Sequence, residues 1–488
     1  MTPKQFLTCV YLLVALLLLF VDAGWSQTSK RPNILFILLD DFGWKDAGYT
    51  GSDYFQTPNI DKLAASGMVF SDAYSAAANC APARACLLSG QYTPRHEVFN
   101  VGTRLRGNPK YSRLKHIGGT KTLNPKIKTW ADCLQKANYR TGTIGKWHLS
   151  DDPVPYGFHV NVGGTHSGSP PKGYFPPNRV PGIENSPKEE YLTDRLHDEA
   201  IDFIEESKSQ PWCLLLSHFA VHTPLQGKPE LIKKFNGLPK GTHQQSAVMA
   251  AMIQSVDEGV GRLVEKLDEL QLRDKTVIIF YSDNGGYGPA TSMHPLKGYK
   301  GSYYEGGIRE PFFVVWPGVV KEGSKCSTPI TGVDFYPTLC DFAQAELPTD
   351  QVIDGVSMLP LLKQTGDWQP RSIFWHFPAY LQSYSGKNKK LNGQRDPLFR
   401  SRPVSVIRDG DWKLHEYFED GALELYNLKK DIGETQNLSK SKPDKLAELH
   451  GKLKQWRDKI KAPVPTTPNP KFDAAAEAKA IASKSDDS

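Results

Sequence analysis

Two short apolar runs, each broken off by acidic residues, constrain this chain most. Asn33-Ile-Leu-Phe-Ile-Leu-Leu39 runs without a polar gap into Asp40-Asp41, and Thr276-Val-Ile-Ile-Phe-Tyr281 runs into Ser282-Asp283-Asn284. A strand with one wet face alternates apolar and polar residues. A strand covered on both faces, as in a parallel sheet, reads as an unbroken apolar run. Leu214-Leu-Leu216 reads the same way, and Thr141-Gly-Thr-Ile144 is a weaker strand candidate. Helical patterns lie between them. Thr57-Pro58 opens one carrying Ile60, Leu63 and Ala64, with Gly67 as its stop. Others are expected at 129–138, at a helix capped by Thr193, and at 246–270. Strands alternating with helices specify an α/β fold around a large, mostly parallel mixed sheet flanked by helices.

From about residue 366 the pattern changes. Ser405–His415 alternates around Asp409-Gly410, a hairpin signal, and Leu423–Leu428 alternates too. This predicts a small C-terminal α+β subdomain with an antiparallel sheet, closed by a helix at 442–460. The expected organisation is a signal peptide at 1–26, a catalytic α/β domain at 27–365, a C-terminal subdomain at 366–462 and a disordered tail at 463–488. The leader reading rests on Lys4, the apolar run Cys9–Val21 and the small residues Ala23 and Ser26. That run is too short to span a bilayer comfortably, so the chain is expected to be secreted or periplasmic, with no membrane span. Formal net charge is +6, without a Lys/Arg block, which argues against nucleic acid as a partner. The cysteines at 9, 80, 86, 133, 213, 326 and 340 show no dense disulfide spacing.

In an open parallel sheet, ligands bind beyond the carboxyl ends of the strands. Asp40, Asp41, Asp283 and Asn284 would share that edge. Taken alone, either pair merely begins a turn; together, three carboxylates and an amide oxygen repel one another unless a hard cation, calcium or magnesium, joins them. Cys80-Ala-Pro-Ala-Arg84 would open a helix, placing Cys80 where backbone amides favour an anion and Arg84 one turn on.

Cys80-Ala-Pro-Ala-Arg84 matches the C-x-P-x-R motif of the type I, formylglycine-dependent sulfatases, with Ala83 where Ser is common, and Leu88-Ser-Gly90 resembles its trailing residues. Gly145-Lys-Trp-His-Leu149, His222-Thr-Pro224, Ser282-Asp-Asn-Gly285 and Lys300-Gly-Ser-Tyr-Tyr-Glu-Gly-Gly-Ile-Arg-Glu-Pro311 resemble further family boxes in the same order. Trp412-Lys-Leu414 and Leu425-Tyr426 resemble the closing subdomain, and Tyr156-Gly-Phe and Gly173-Tyr-Phe resemble bacterial polysaccharide sulfatases. The resemblance implies an alkaline-phosphatase-like fold, oxidation of Cys80 to 3-oxoalanine by a formylglycine-generating enzyme, and one Ca2+ held by Asp40, Asp41, residue 80, Asp283 and Asn284. It implies that Arg84, Lys146 and Lys300 neutralise sulfate oxygens. His222, with Lys300, would protonate the leaving oxygen, and His148 would take a proton as sulfate is expelled. The implied substrate is a sulfated sugar or polysaccharide. The rivals are a formylglycine-dependent phosphodiesterase or phosphonate hydrolase, and a non-catalytic protein that binds sulfated glycans. Outside the motifs, His218 and His243 read as ordinary polar residues and His294 as a candidate substrate contact. Gly163–Gly168 and the Pro/Gly-rich stretches 150–192 and 380–403 read as loops around a substrate pocket.

Overall fold

The computed structural model describes residues 31–177, 179–183, 187–384 and 393–485. The expected signal peptide lies outside the described residues. No described helix is long and apolar enough to cross a membrane.

Eight strands form the main sheet. They are β1 (Asn33–Leu39), β2 (Met68–Phe70), β3 (Arg140–Gly145), β4 (Val160–Val162), β5 (Trp212–Ser217), β6 (Thr276–Ser282), β7 (Phe312–Val315) and β8 (Ser324–Cys326), in the spatial order β4-β3-β5-β1-β6-β7-β2-β8. β7 alone runs against its neighbours, so the sheet is mixed but mostly parallel, as expected. The apolar run of β1 is explained by its two faces. Leu35, Ile37 and Leu39 join a core with Ile60 and Leu63 of α1 (Pro58–Ala65), Leu196 of α4 (Leu192–Ser207) and Val256 of α5 (Ala247–Glu269). Ile34, Phe36 and Leu38 join a second core with Leu87 of α2 (Cys80–Ser89), Leu134 of α3 (Trp130–Lys136) and Phe335 of α6 (Phe335–Ala343). Neither face could carry a polar residue without burying it unpaired.

The C-terminal sheet is antiparallel, in the order β9 (Ile373–Phe377), β10 (Val404–Asp409), β11 (Trp412–Tyr417), β12 (Leu423–Asn427). Gly410 makes the β10–β11 turn at φ 56°, a left-handed conformation cheap only for glycine. Trp375 and Val406 pack on Tyr74 and Ile308 of the main body, while Ile407 and Leu414 pack on Leu449 and Leu453 of α7 (Pro443–Ile460).

Two expectations fail. Thr193 does not cap its helix, which starts at Leu192 with Tyr191 in the cap position. The tail is not disordered throughout: Ala474–Ser485 forms helix α8. Its composition is too polar to form a core, but buried Glu477 ion-pairs with Arg402 (2.8 Å) and Arg113 (3.2 Å), which ties the helix down.

Candidate functional site

The four central strands deliver their following residues to one edge. Leu39 of β1 pairs with Ser282 of β6, so Asp40-Asp41 and Asp283-Asn284 leave the sheet side by side. Gly145 of β3 pairs with Ser217 of β5, placing the Lys146–His148 segment beside the loop that carries His222. α2 then brings Cys80, its first residue, to the same edge, where the helix dipole favours an anion.

The sequence-expected site residues converge. Lys146 Nζ lies 2.5 Å from Asp40 Oδ2 with both side chains fully buried, and Lys300 Nζ lies 2.6 Å from Asp41 Oδ1. His222 Nε2 stands 3.8 Å from Asp41 Oδ2. Ligand-type atoms of Asp40, Asp41, Cys80 and His222 lie within 4.8 Å of one another. Asp283 is tied to the group through its contact with the Asp41 amide (3.5 Å), and Asn284 donates from Nδ2 to Asp41 Oδ1 (2.8 Å). Asp40 Oδ1 and Asn284 Oδ1 are buried with no hydrogen-bond partner. Such orphaned oxygens are rare in a folded interior, and together with the carboxylates around them they fit a hard cation.

Among the site residues, two sit in the left-handed region without being glycine, Asp41 at φ 63° and His148 at φ 69°. Strain of this kind is held only where the surroundings over-determine it, and it clusters at functional sites. The His148 amide donates to Thr165 O (2.8 Å), which fixes the turn. Gly168 lies so near the His148 ring that an added Cβ would come 2.4 Å from Cε1.

Electrostatics divide the two histidines. Burial, then the cations of Lys146 and Arg84, hold His148 well below the usual imidazole range, so it is neutral. Burial and Lys300 also disfavour charge on His222, but Asp40 and Asp41 outweigh them and raise it. Burial opposes a thiolate at Cys80, yet Lys146 and Lys300 bring it down to about 6. Burial and the charge of Asp40 push Asp283 up to about 6.

Arg84 is tied into the site by most of its guanidinium. Its Nε binds Asp283 Oδ2 at 2.8 Å and its Nη1 donates to Lys146 O (2.9 Å) and Ser217 Oγ (2.5 Å). Its Nη2 is buried and has no hydrogen-bond partner among the described residues. Ser217, which also donates to Lys146 O (2.6 Å), carries no motif signal beyond its place at a strand end. A cavity of about 380 Å3 opens over Cys80, His148, His222 and Lys300. Its lining also includes Gly168 and Ser169 from the first long stretch and Tyr384 and Arg400 from the second, as the loop composition suggested; Arg106 and Tyr287 join them without any sequence signal. His294 is not part of it. It is exposed and stacks on His243 (4.2 Å between ring centroids). His218 is fully buried beside His197, away from the cavity lining.

Residues 32–345 match the sulfatase family model, and residues 299–461 match the model of the N-sulphoglucosamine sulphohydrolase C-terminal region. The chain belongs to the sulfatase family. It is 31% identical to a sulfatase of Formosa agariphila, over 90% of this chain and 91% of that one. It is 30% identical to human N-acetylgalactosamine-6-sulfatase, over 72% of this chain and 70% of that one. The solved structure of Ps i-CgsB superposes with a TM-score of 0.74 at 30% identity, covering 93% of this chain and 98% of that one, and has also been solved in complex with k-i-k-neocarrahexaose. This sulfatase is therefore a hydrolase of sulfate esters, and its architecture is the one its relatives share.

Proposed function

We propose that this sulfatase releases inorganic sulfate from a sulfated carbohydrate, using formylglycine at position 80 and one calcium ion. The observation that carries the reading is the meeting of Cys80, His148, His222 and Lys300 at one cavity, beside buried carboxylates and an amide whose oxygens lack partners.

The unpartnered Asp40 Oδ1 and Asn284 Oδ1, with Asp41 and Asp283, would hold calcium together with residue 80. Bound there, calcium supplies positive charge against the sulfate oxygens. An aldehyde hydrate at position 80 supplies a nucleophilic oxygen and a second hydroxyl, without which a sulfated enzyme would stay trapped. The rest falls to the chain's own residues. His222, which borders the cavity beside Cys80, is placed to give a proton to the leaving sugar oxygen. His148, neutral, is placed to accept a proton. Lys300 borders the cavity and adds charge where sulfate oxygens sit, while Arg84 and Ser217 hold Asp283 and the Lys146 backbone in place. The carbohydrate reading is supported by the sugar-sulfate activity named for the human relative and the hexaose bound to Ps i-CgsB. Maturation by a formylglycine-generating enzyme, and export by the leader at 1–26, belong to the same proposal.

The test is sulfate release from a panel of defined sulfated mono- and oligosaccharides by protein co-expressed with a formylglycine-generating enzyme. Release from one regiochemistry, lost on chelation and restored by calcium, is expected. Faster turnover of phosphodiesters or phosphonates would overturn the reading in favour of that rival. Binding without release by fully converted protein would favour a glycan-binding protein.

A further inference from the structure

Two guanidiniums line the cavity without an acidic partner among the described residues. Arg106 and Arg400 both line it, and neither forms an ion pair among the described residues. Arg400 is buried and held in place: Nε donates to Gln382 O (3.0 Å), Nη1 donates to the carbonyl of Lys300 (3.2 Å), and the guanidinium lies 4.1 Å from the Tyr384 ring centroid. Arg106 is half-buried, and its side chain makes no hydrogen bond among the described residues. Its backbone is fixed, since Gln382 donates to its carbonyl at 3.0 Å. Burial and the neighbouring Arg400 both work against its charge. Elsewhere the chain pairs its buried cations closely, as in Arg309–Glu305 at 2.9 Å and Lys413–Glu305 at 2.8 Å. Leaving two repelling guanidiniums unpaired in a cavity wall costs stability unless an anion joins them there.

The rings beside them suit a sugar. Tyr287 and Tyr384 both line the cavity and meet edge to face, 5.0 Å between centroids, and the Tyr384 hydroxyl is buried without a partner. Neither arginine belongs to a motif that carried the reading of residues 40–300, and the Lys300–Arg400 contact joins this wall directly to that site.

Resting on the carbohydrate-sulfatase reading, we infer that Arg106 and Arg400 form a second oxyanion subsite, so that the preferred substrate is an oligosaccharide bearing another anionic group besides the sulfate removed at position 80. The planar guanidinium fork matches sulfate and carboxylate alike. The tyrosines hold the intervening ring. These residues decide specificity and take no part in bond breaking.

Three matched oligosaccharides test this: one with a single sulfate, one with a second sulfate on the neighbouring ring, and one with a carboxylate there instead. Wild-type kcat/KM should favour a doubly charged substrate by about 10- to 100-fold, and the better of the two identifies the anion. In Arg106→Gln that preference should fall towards unity, mostly through KM, with Tm held or raised because an unpaired charge is gone. Arg400→Lys should narrow it less. No wild-type preference, or an equal loss on all three substrates in Arg106→Gln, overturns the subsite. Absence of sulfate release from every substrate would instead contradict the functional reading. Calorimetric binding to Cys80→Ala protein then decides the subsite separately: tighter binding of a doubly charged sugar, lost in Cys80→Ala/Arg106→Gln, supports it, and equal binding overturns it.

Discussion

At the scale of single residues, the site depends on side chains held in costly conformations by their neighbours. Gly168 shows this most directly. A methyl group there would meet the His148 ring at 2.4 Å, in a residue already at φ 69°, so the imidazole and not the backbone should yield. Gly168→Ala is expected to lower kcat about tenfold or more through misplacement of His148, with Tm nearly unchanged. Steady-state kinetics beside a melting curve checks it, and a matching loss of Tm and kcat would point to unfolding instead. Residues of this scale were unevenly legible. Cys80, Lys146, His148, His222 and Lys300 stand in motifs of distinctive spacing, and the structure gathers them. The bracing of Asp283 by Arg84, and the parts played by Ser217 and Arg106, depend on which segments meet in space, and no local pattern encodes that.

At the scale of elements, the central strands were readable because burial on both faces leaves only apolar side chains, and their acid-ended edges followed from the same pattern. The reversed direction of β7 was not readable, because a doubly buried strand has the same composition whichever way it runs. Nor was the start of α4: Thr193 is a good cap by type, but the chain enters the helix two residues earlier, with Tyr191 in the cap position. The segment after β1 carries a titration of its own. Asp46 is fully buried among neutral donors, the Gly43 amide (2.7 Å), Gln244 Nε2 (3.1 Å) and the Thr291 hydroxyl. Burial outweighs these hydrogen bonds and raises it to about 7. With the folded pKa above the unfolded value, the native state binds more protons between about pH 4 and 7, so this group's contribution falls as pH rises through that window. The slope is on the order of 1 kcal/mol per pH unit. Denaturant midpoints of wild type and Asp46→Asn from pH 4 to 8 should differ in slope over this window; parallel curves would contradict it.

At the scale of the whole molecule, a buried charge cluster joins the C-terminal sheet to the catalytic body. Lys413 of β11 reaches Glu305 at 2.8 Å and Glu434 at 3.1 Å, all three fully buried. Removing Lys413 leaves Glu305 to Arg309 and takes from buried Glu434 its ammonium partner, so Lys413→Ala should cost about 3–5 kcal/mol in equilibrium unfolding. A loss under 1 kcal/mol would mean the cluster does not secure the subdomain. The tail was misjudged at this scale, because its anchors lie far away in sequence: Pro463 O accepts from His376 Nε2 at 2.9 Å, and Glu477 binds Arg402. A chain ending at Ala462 should therefore melt several degrees lower than the full one, and an unchanged Tm would show the tail to be dispensable. All of this scaffold serves residue 80, and the central claim turns on its chemistry. The most direct measurement is peptide mass across position 80 in preparations matured to different extents, set against sulfate turnover on one carbohydrate substrate. Turnover proportional to the fraction of Cys80 converted to the aldehyde, extrapolating to none at zero conversion, is predicted. Full turnover by protein retaining the unmodified thiol would contradict the account.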